Sequence, residues 1–232
     1  MEASETLGDK HRFRFSKTGR VKYISHLDLM ATMRRAILRA GVRLKYSEGF
    51  NPHPFMSAAM PLSVGHESVC ELMDVGIADE PSIDGLPAAI TAALPEGIEV
   101  LDVYKPERKF SEITWVEIRG LLHYDKAMSR DTIECLTGRF KKENIIVSKK
   151  TKRGSVDLDI APFIRDIEFS SDCTGTEKHG IIRLKAKISA QNPTINPENL
   201  MSALDGEYKE LAPCHTGFKR IEIYDREMKV FR

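Results

Sequence analysis

The sequence has few of the residues that usually mark a metal or cofactor centre. Among its 232 residues there are only 4 cysteines and 1 tryptophan. The cysteines form no Cys-x-x-Cys pair, which argues against a zinc or iron–sulfur site and favours separate, reduced thiols. They are Cys70, Cys135, Cys173 and Cys214. We therefore expect a protein that binds no metal and no cofactor.

Motifs of several large enzyme classes are also missing. The chain has no Gly-x-x-x-x-Gly-Lys loop, no Gly-x-Gly-x-x-Gly, no Gly-x-Ser-x-Gly and no His-Glu-x-x-His, so nucleotide hydrolysis, dinucleotide binding, serine hydrolysis and zinc proteolysis are unsupported. No apolar run approaches the roughly 20 residues that span a bilayer. Residues 1–9 are polar and acidic, unlike a signal peptide. These absences predict a cytoplasmic protein with a flexible N-terminus.

Charge is sorted along the first hundred residues. Between Lys10 and Lys45 there are 11 Lys/Arg and 1 acid, whereas between His66 and Glu107 there are 10 acids and 1 base, in a chain of net charge +1. A polyanion would dock on the first block. The alternative is that the later acids neutralise the block internally.

The hydrophobic pattern predicts an α+β fold of two tandem ferredoxin-like (β-α-β-β-α-β) domains with antiparallel sheets, covering residues 10–106 and 107–232. Helices are expected over 25–41, 83–94, 129–140 and 197–204, the first capped by Ser25 and ended by Gly41. Strands are expected over 12–24, 42–46, 68–77, 98–104, 113–123, 145–149, 156–160, 181–189 and 218–224. Residues 162–180 fit no element with confidence. The alternative is a single α+β domain with one larger antiparallel sheet.

A loop of turn-forming residues separates the basic and acidic blocks. In residues 46–54, Gly49 permits a positive φ and two prolines stiffen the chain, so Phe50, Asn51 and His53 are held out between them. Phe50 would stack on a base, Asn51 would hydrogen-bond a base edge, and His53 would act as an acid, a base or a phosphate contact. A turn packed against its own domain is the alternative.

Two further residues have the types that acid–base catalysis uses. His26 and Asp28 resemble a His/Asp pair, but Ser25-x-x-Asp28 before an apolar helix is also the spacing of a capping box. The candidate catalytic residues are therefore His26, Asp28 and His53, with the capping interpretation open for Asp28.

The candidate nucleic-acid contacts are basic or lie in the loop. Basic residues of the first strand have no acids interleaved, and residues 149–155 form a second basic turn that either is solvated or binds phosphates. The predicted set is Arg12, Arg14, Lys17, Arg20, Lys22, Arg34, Arg35, Phe50, Asn51, His53, Lys150, Lys152 and Arg153.

Three segments resemble a known family. Residues 12–19 (RFRFSKTG), 23–28 (YISHLD) and 46–54 (YSEGFNPHP), with 61–65 (PLSVG), are similar to the uncharacterised radical SAM-linked proteins, domain of unknown function 2344. Residues 157–164 are a looser version of that family's Asp-Ile-Arg-Pro segment, with Ala161 where an Arg is usual. The resemblance implies a radical SAM partner, since this chain lacks the three-cysteine cluster of such enzymes, but it implies no activity.

These observations lead to three hypotheses. The first is an RNA-binding accessory module that presents a structured RNA to a radical SAM protein. The second is an RNA-modifying or RNA-cleaving enzyme, since tandem ferredoxin-like folds occur in tRNA pseudouridine synthases and CRISPR repeat-RNA endonucleases, although their catalytic stretches are not found here. The third is a protein-interaction domain.

Overall fold

The protein is described from a computed structural model. The structure describes residues 10–79, 82–126, 128–151, 154–171 and 180–232, and it describes no side chains at residues 149–151. The described chain divides into two compact units, one up to Glu112 together with Val230–Arg232 and the other Ile113–Lys229. The division thus falls after residue 112, whereas the sequence predicted a boundary after residue 106. No helix of the described residues has the length and apolarity to cross a membrane.

Among its described residues, the first unit contains four strands and two α-helices. Its sheet has the order β4-β1-β3-β2, and all three neighbouring pairs are antiparallel. A cluster of buried apolar side chains, including Phe13, Met33 and Ile90, joins both helices to the sheet. The elements are β1 (Lys10–Lys17), α1 (His26–Arg39), β2 (Met56–Ala58), β3 (Glu67–Gly76), α2 (Leu86–Ala92) and β4 (Ile98–Tyr104).

Local sequence signals account for the helix ends of this unit. The Ser25 side chain accepts a hydrogen bond from the Asp28 N–H at the start of α1, and Gly41 has a φ of +81° just after its end. Pro87 lies in the first turn of α2, where a missing N–H costs no helical hydrogen bond. The predicted strand 42–46 is present only as isolated bridges, Leu44 to Ile77 and Tyr46 to Pro54.

In the part of it that the structure describes, the second unit has six strands and two α-helices. Its main sheet has the order β10-β5-β9-β8, again with antiparallel neighbours, and β6 and β7 form a separate hairpin. The elements are β5 (Trp115–Tyr124), α3 (Arg130–Phe140), β6 (Ile146–Thr151), β7 (Gly154–Asp159), β8 (Ile164–Ser171), β9 (Gly180–Ser189), α4 (Pro197–Ser202) and β10 (His215–Tyr224).

Strand β8 lies in the segment for which the sequence predicted no element. Asp166 has a φ of +49°, and the pairing of β8 with β9 shifts register between Arg165 and Glu168. Such an irregularity breaks the two-residue alternation by which a strand is recognised in sequence. The predicted strands at 145–149 and 156–160 exist, but they pair with each other outside the main sheet of their unit.

The main sheet of the second unit packs against helix α3 on one face. In the second unit the ring of Phe140 on α3 lies 5.6 Å from that of Phe169 on β8, and Phe169 is opposite Leu184 on β9. The helices therefore cover the face that carries Phe169 and Leu184. Residues that alternate with these, such as Arg183 and Lys185, are exposed on the other face.

Candidate nucleic-acid interface

The loop at residues 46–54 is closed by its own hydrogen bonds. The Ser47 N–H donates to the His53 carbonyl at 2.8 Å, and the His53 N–H donates to the Ser47 hydroxyl oxygen at 2.9 Å. Tyr46 and Pro54 form a bridge at its base, and Gly49 has a φ of +113°, which favours glycine. The loop is thus pinned, in the sense that its own backbone and side-chain hydrogen bonds hold it in one conformation.

The predicted contact residues of this loop are directed to solvent. Phe50 has an exposed fraction of 111%, and Asn51 and His53 are also exposed. The alternative of a turn packed against its own domain therefore does not describe Phe50. A fully exposed aromatic ring on a pinned loop is unusual, because its burial on folding would have been favourable.

The loop lies at one end of the first unit's sheet. The Lys45 N–H donates to the Gly76 carbonyl, and the Gly76 N–H donates to the Phe55 carbonyl, which attaches both loop arms to the last residue of β3. Helix α1 ends on the same side, since the Ala78 N–H donates to the Arg43 carbonyl. The exposed Arg34 and Arg35 lie in the last six residues of α1, within roughly 8 Å of its end along the axis.

His26 and Asp28 lie at the opposite end of this sheet. Lys17, the last residue of β1, is the register partner of Ser68, whereas the loop arms bond to Gly76. Eight residues of strand at about 3.3 Å each separate these positions by roughly 26 Å. The Lys17 ammonium donates to the carbonyls of Lys22 and Ile24, which holds the start of α1 at its own end. The structure therefore does not bring His53 together with His26 and Asp28.

The Ser25 cap of α1 is confirmed, and Asp28 reaches back to the Ser25 hydroxyl. The Ser25 hydroxyl oxygen accepts from the Asp28 N–H at 3.2 Å, and the Ser25 hydroxyl donates to the Asp28 carboxylate at 2.7 Å. Asp28 thus has a structural role at the positive end of the α1 dipole. His26 is half-buried beside it, in the first turn of the helix.

Arg12 does not lie on a surface that a phosphate reaches. Its side chain is completely buried and makes a bidentate ion pair with Asp74, with nitrogen–oxygen distances of 2.7 and 2.9 Å. The guanidinium also donates to the Arg108 carbonyl and lies 4.2 Å from the centre of the Phe110 ring. The expectation that Arg12 contacts nucleic acid is therefore wrong, because an acid from the later block neutralises it.

Lys17 is likewise internal. It is 1% exposed, and burial lowers the pKa of its ammonium, with the nearby Glu71 carboxylate opposing that shift. Its donors serve the two carbonyls named above, so Lys17 also leaves the predicted phosphate-binding set. Arg14 and Lys22 are half-buried, whereas Arg20 is exposed at the α1-start end of the sheet.

The second predicted basic turn is largely outside the described residues. Lys152 and Arg153 lie beyond them, and the structure describes no side chain at Lys150. Within the described part of the chain, no group of three or more His, Cys, Asp or Glu side chains is placed to hold a metal ion.

A row of cations on the exposed sheet face of the second unit was not predicted from the sequence. Lys219 on β10 is directly opposite Arg119 on β5, which is directly opposite Lys185 on β9. Arg183 is also exposed, two residues before Lys185. The signal was present as basic residues at every second position of β9, but only the pairing of three strands aligns them.

The comparisons with known proteins give a family and weak structural likenesses. Residues 10–197 match a family model described as "Uncharacterized protein conserved in bacteria (DUF2344)". No curated protein matches the chain.

Among solved structures, the chain is similar to one from a Cbf5-Nop10-Gar1 complex, at 8% identity and a TM-score of 0.46, covering 94% of this chain and 49% of that one. It therefore spans about half the length of that neighbour. An unknown protein from Galdieria sulphuraria has 11% identity and a TM-score of 0.26, with 91% and 96% of the two chains covered. The encapsulated DyP-type peroxidase from Mycobacterium smegmatis has 8% identity and a TM-score of 0.22, with 94% and 93% covered. Likenesses this weak carry no functional argument.

Proposed function

This chain belongs to the family of uncharacterised bacterial proteins with domain of unknown function 2344, and from that premise we propose that it is an RNA-binding accessory module that acts with a radical SAM protein. The observation that carries the RNA-binding part is Phe50, fully exposed on a loop pinned by hydrogen bonds. The radical SAM partner is supported by the sequence resemblance of residues 12–65.

An exposed, preorganised ring is suited to an unpaired base. Stacking on an aromatic side chain contributes about 1–3 kcal/mol per base and tolerates any base, because every base has a π-face. The pinned loop loses little conformational entropy when the base arrives. Asn51 and His53, exposed on the same loop, supply hydrogen-bonding groups for the base edge or the backbone.

Cations near the loop would hold the phosphates of the same RNA. Arg34 and Arg35 are exposed at the loop end of α1. Arg43 follows α1 but pairs with Asp79, so part of its charge is neutralised within the unit. We assign the phosphate-binding role at this end to Arg34 and Arg35.

We propose that both units are ferredoxin-like domains. In the first unit the elements follow the order β-α-β-β-α-β, and the strand order is β4-β1-β3-β2. In the second unit β5, β8, β9 and β10 take the corresponding positions, with the β6–β7 hairpin inserted after α3. The order of the main sheet is then equivalent in the two units.

The proposal is tested by recovering RNA after cross-linking in cells. We expect the wild-type protein to recover RNA above background, and the Arg34→Glu/Arg35→Glu variant to recover much less. The matched control is Arg130→Glu/Lys141→Glu, which reverses two exposed cations, the first residue of α3 and the residue directly after its end. A wild-type protein that recovers nothing above background would refute RNA binding. The same pull-down, analysed by mass spectrometry, reports whether a radical SAM protein accompanies the chain.

Binding of the recovered RNA in vitro isolates the role of the loop. Removing a stack of about 1–3 kcal/mol weakens affinity about 5- to 150-fold, so we expect that loss for Phe50→Ala and a smaller loss for Phe50→Trp. Fluorescence anisotropy measures both. Equal affinities for wild type and Phe50→Ala would remove the loop from the RNA site.

A protein-interaction domain is the second candidate, and one observation favours it. Tyr23, Leu27 and Val64 are 66%, 78% and 58% exposed, and the Gly65 N–H donates to the Lys22 carbonyl, which holds the Val64 segment beside Tyr23. Exposed apolar clusters often mark protein contacts. If this candidate is right, Tyr23→Ala/Leu27→Ala abolishes capture of a protein partner, whereas Phe50→Ala leaves that capture unchanged. If the chain binds RNA as proposed, Phe50→Ala loses RNA binding.

A further inference from the structure

The second unit has an exposed sheet face whose central residues are basic. Arg119, Arg183 and Lys185 are exposed on it, and Lys219 is half-buried. We name these four residues the basic face. They alternate along their strands with buried apolar residues such as Ile118, Leu184 and Phe218, so their side chains project away from the helices.

Three of these cations form a row across adjacent strands. Lys219 is the register partner of Arg119, and Arg119 is the register partner of Lys185, with Glu168 of the edge strand β8 opposite Lys185. Side chains directly opposite each other in antiparallel strands have Cβ atoms about 4.5–5.5 Å apart, and like charges there destabilise the sheet. Folding alone therefore does not favour this arrangement.

Two of the acids near this row, Glu117 and Asp166, are engaged with other side chains, whereas Glu168 lies opposite Lys185. The Tyr224 hydroxyl donates to the Glu117 carboxylate at 3.0 Å, and Lys187 pairs with Asp166 at 2.8 Å. That lysine lowers the pKa of Asp166, chiefly through its hydrogen bond, so this carboxylate stays charged and committed to Lys187. The cross-strand row thus consists of three cations, with one acid, Glu168, at its β8 end.

Uncharged and titratable side chains border the row on its other side. Leu121 and Ile181 are 40% and 42% exposed. His123 and His215 are register partners, and their ring centres are 5.7 Å apart. These four side chains add no acid next to the row.

We infer that the basic face is a second RNA-binding site, which takes the phosphate backbone. Strands about 4.8 Å apart place the three cations within roughly 10 Å, so one nucleic-acid strand can lie along the row with successive phosphates near the cations. The inference extends the proposed function from the loop of the first unit to a surface on the second. DNA also has a phosphate backbone, so the experiment compares the binding of RNA with the binding of DNA.

The experiment compares Arg119→Gln/Lys185→Gln with Arg130→Gln/Lys141→Gln, which removes the same charge from two exposed positions, the first residue of α3 and the residue directly after its end. Fluorescence anisotropy measures affinity for a labelled single-stranded RNA and for DNA of the same sequence between 50 and 200 mM salt, roughly the range over which phosphate contacts weaken most. The slope of log K against log salt concentration is negative, and each lost phosphate contact makes it less steep by about 0.7 for a single strand. We expect the salt slope to become less steep by about 1.4 in Arg119→Gln/Lys185→Gln, the face variant, and to stay unchanged in the control.

Thermal unfolding of the same variants separates binding from a structural role. Because the row places like charges opposite each other, Arg119→Gln/Lys185→Gln is expected to raise Tm by about 2–4 °C while weakening RNA binding. A lower Tm with unchanged binding would give the row a structural role and overturn the inference. Tighter wild-type binding of DNA than of RNA would overturn it as well.

The result also distinguishes this inference from the proposed function. RNA binding that the face variant retains and Phe50→Ala loses would overturn the second site and keep the loop site. Loss in the face variant with full binding by Phe50→Ala would keep the basic face and remove the loop. A wild-type protein that binds neither nucleic acid would overturn both.

Discussion

At the residue scale, burial separates cations that hold the fold together from cations that a ligand reaches. Arg12 and Arg34 belong to the same basic block in the sequence, yet Arg12 is completely buried against Asp74 and Arg34 is exposed. A buried guanidinium needs its carboxylate, because an unpaired charge in the interior is far from water. The block is therefore only partly a binding surface.

The Arg12–Asp74 pair gives a prediction for stability. Asp74→Ala leaves the guanidinium buried without its anion, and we expect it to lower the free energy of unfolding by about 3–5 kcal/mol. The control is Asp79→Ala, which breaks the exposed pair with Arg43 and should cost about 1 kcal/mol or less. Urea denaturation measures both, and equal losses would contradict the structural role of Arg12.

The surroundings of Tyr124 predict that the free energy of unfolding of the second unit depends on pH. Its hydroxyl donates to the Leu211 carbonyl at 2.9 Å, and burial, with a smaller effect of Cys214, raises its pKa to about 12. The unfolded pKa is about 10, so the folded state keeps a proton that the unfolded state loses. This stabilisation is complete below pH about 10 and is lost as pH rises towards about 12.

Tyr124→Phe removes the titrating group. We expect the difference in unfolding free energy between wild type and this variant to shrink by about 2 kcal/mol between pH about 10 and 12. Tyr46→Phe, at a position 42% exposed, serves as the control. A difference that stays constant over this range would contradict the assignment.

At the element scale, the sequence predicted the bounds of an element correctly where residues at its own ends fix those bounds. Helix α1 begins after Ser25 and ends before Gly41 as predicted, because a side-chain cap and a positive φ act within a few residues. Strand β8 was not predicted, since its bulge hides the alternation and its partner β9 lies beyond an intervening segment. The loop at 46–54 was recognised from its turn-forming residues, and its hydrogen bonds show how it is pinned.

The Ser25 cap gives a prediction that also tests the role of Asp28. Ser25→Ala removes an acceptor for the Asp28 N–H, and we expect a loss of about 1 kcal/mol in the free energy of unfolding. Ser82→Ala, at an exposed position, should change stability by less than about 0.5 kcal/mol. A Ser25→Ala variant as stable as wild type would argue against the cap.

At the scale of the whole molecule, the two proposed RNA sites contribute to one measurable quantity. If both hold phosphates of the same RNA, their salt dependences add, because each displaced counterion counts once. Arg34→Gln/Arg35→Gln and Arg119→Gln/Lys185→Gln should each lower the salt slope by about 1.4, and the fourfold variant by about 2.8. A fourfold variant no different from either double variant would show that the sites do not engage the RNA together.

The amino-acid sequence by itself determined the sorting of charge, the ends of α1 and the exposed loop, because these depend on residues close together in the chain. Only the tertiary structure decided which cations face water and which face each other. Arg12 and its neutralising Asp74 are 62 residues apart, and the row of Lys219, Arg119 and Lys185 draws on three strands. Burial and strand register arise from contacts between distant residues, and composition or periodicity within one segment does not contain them.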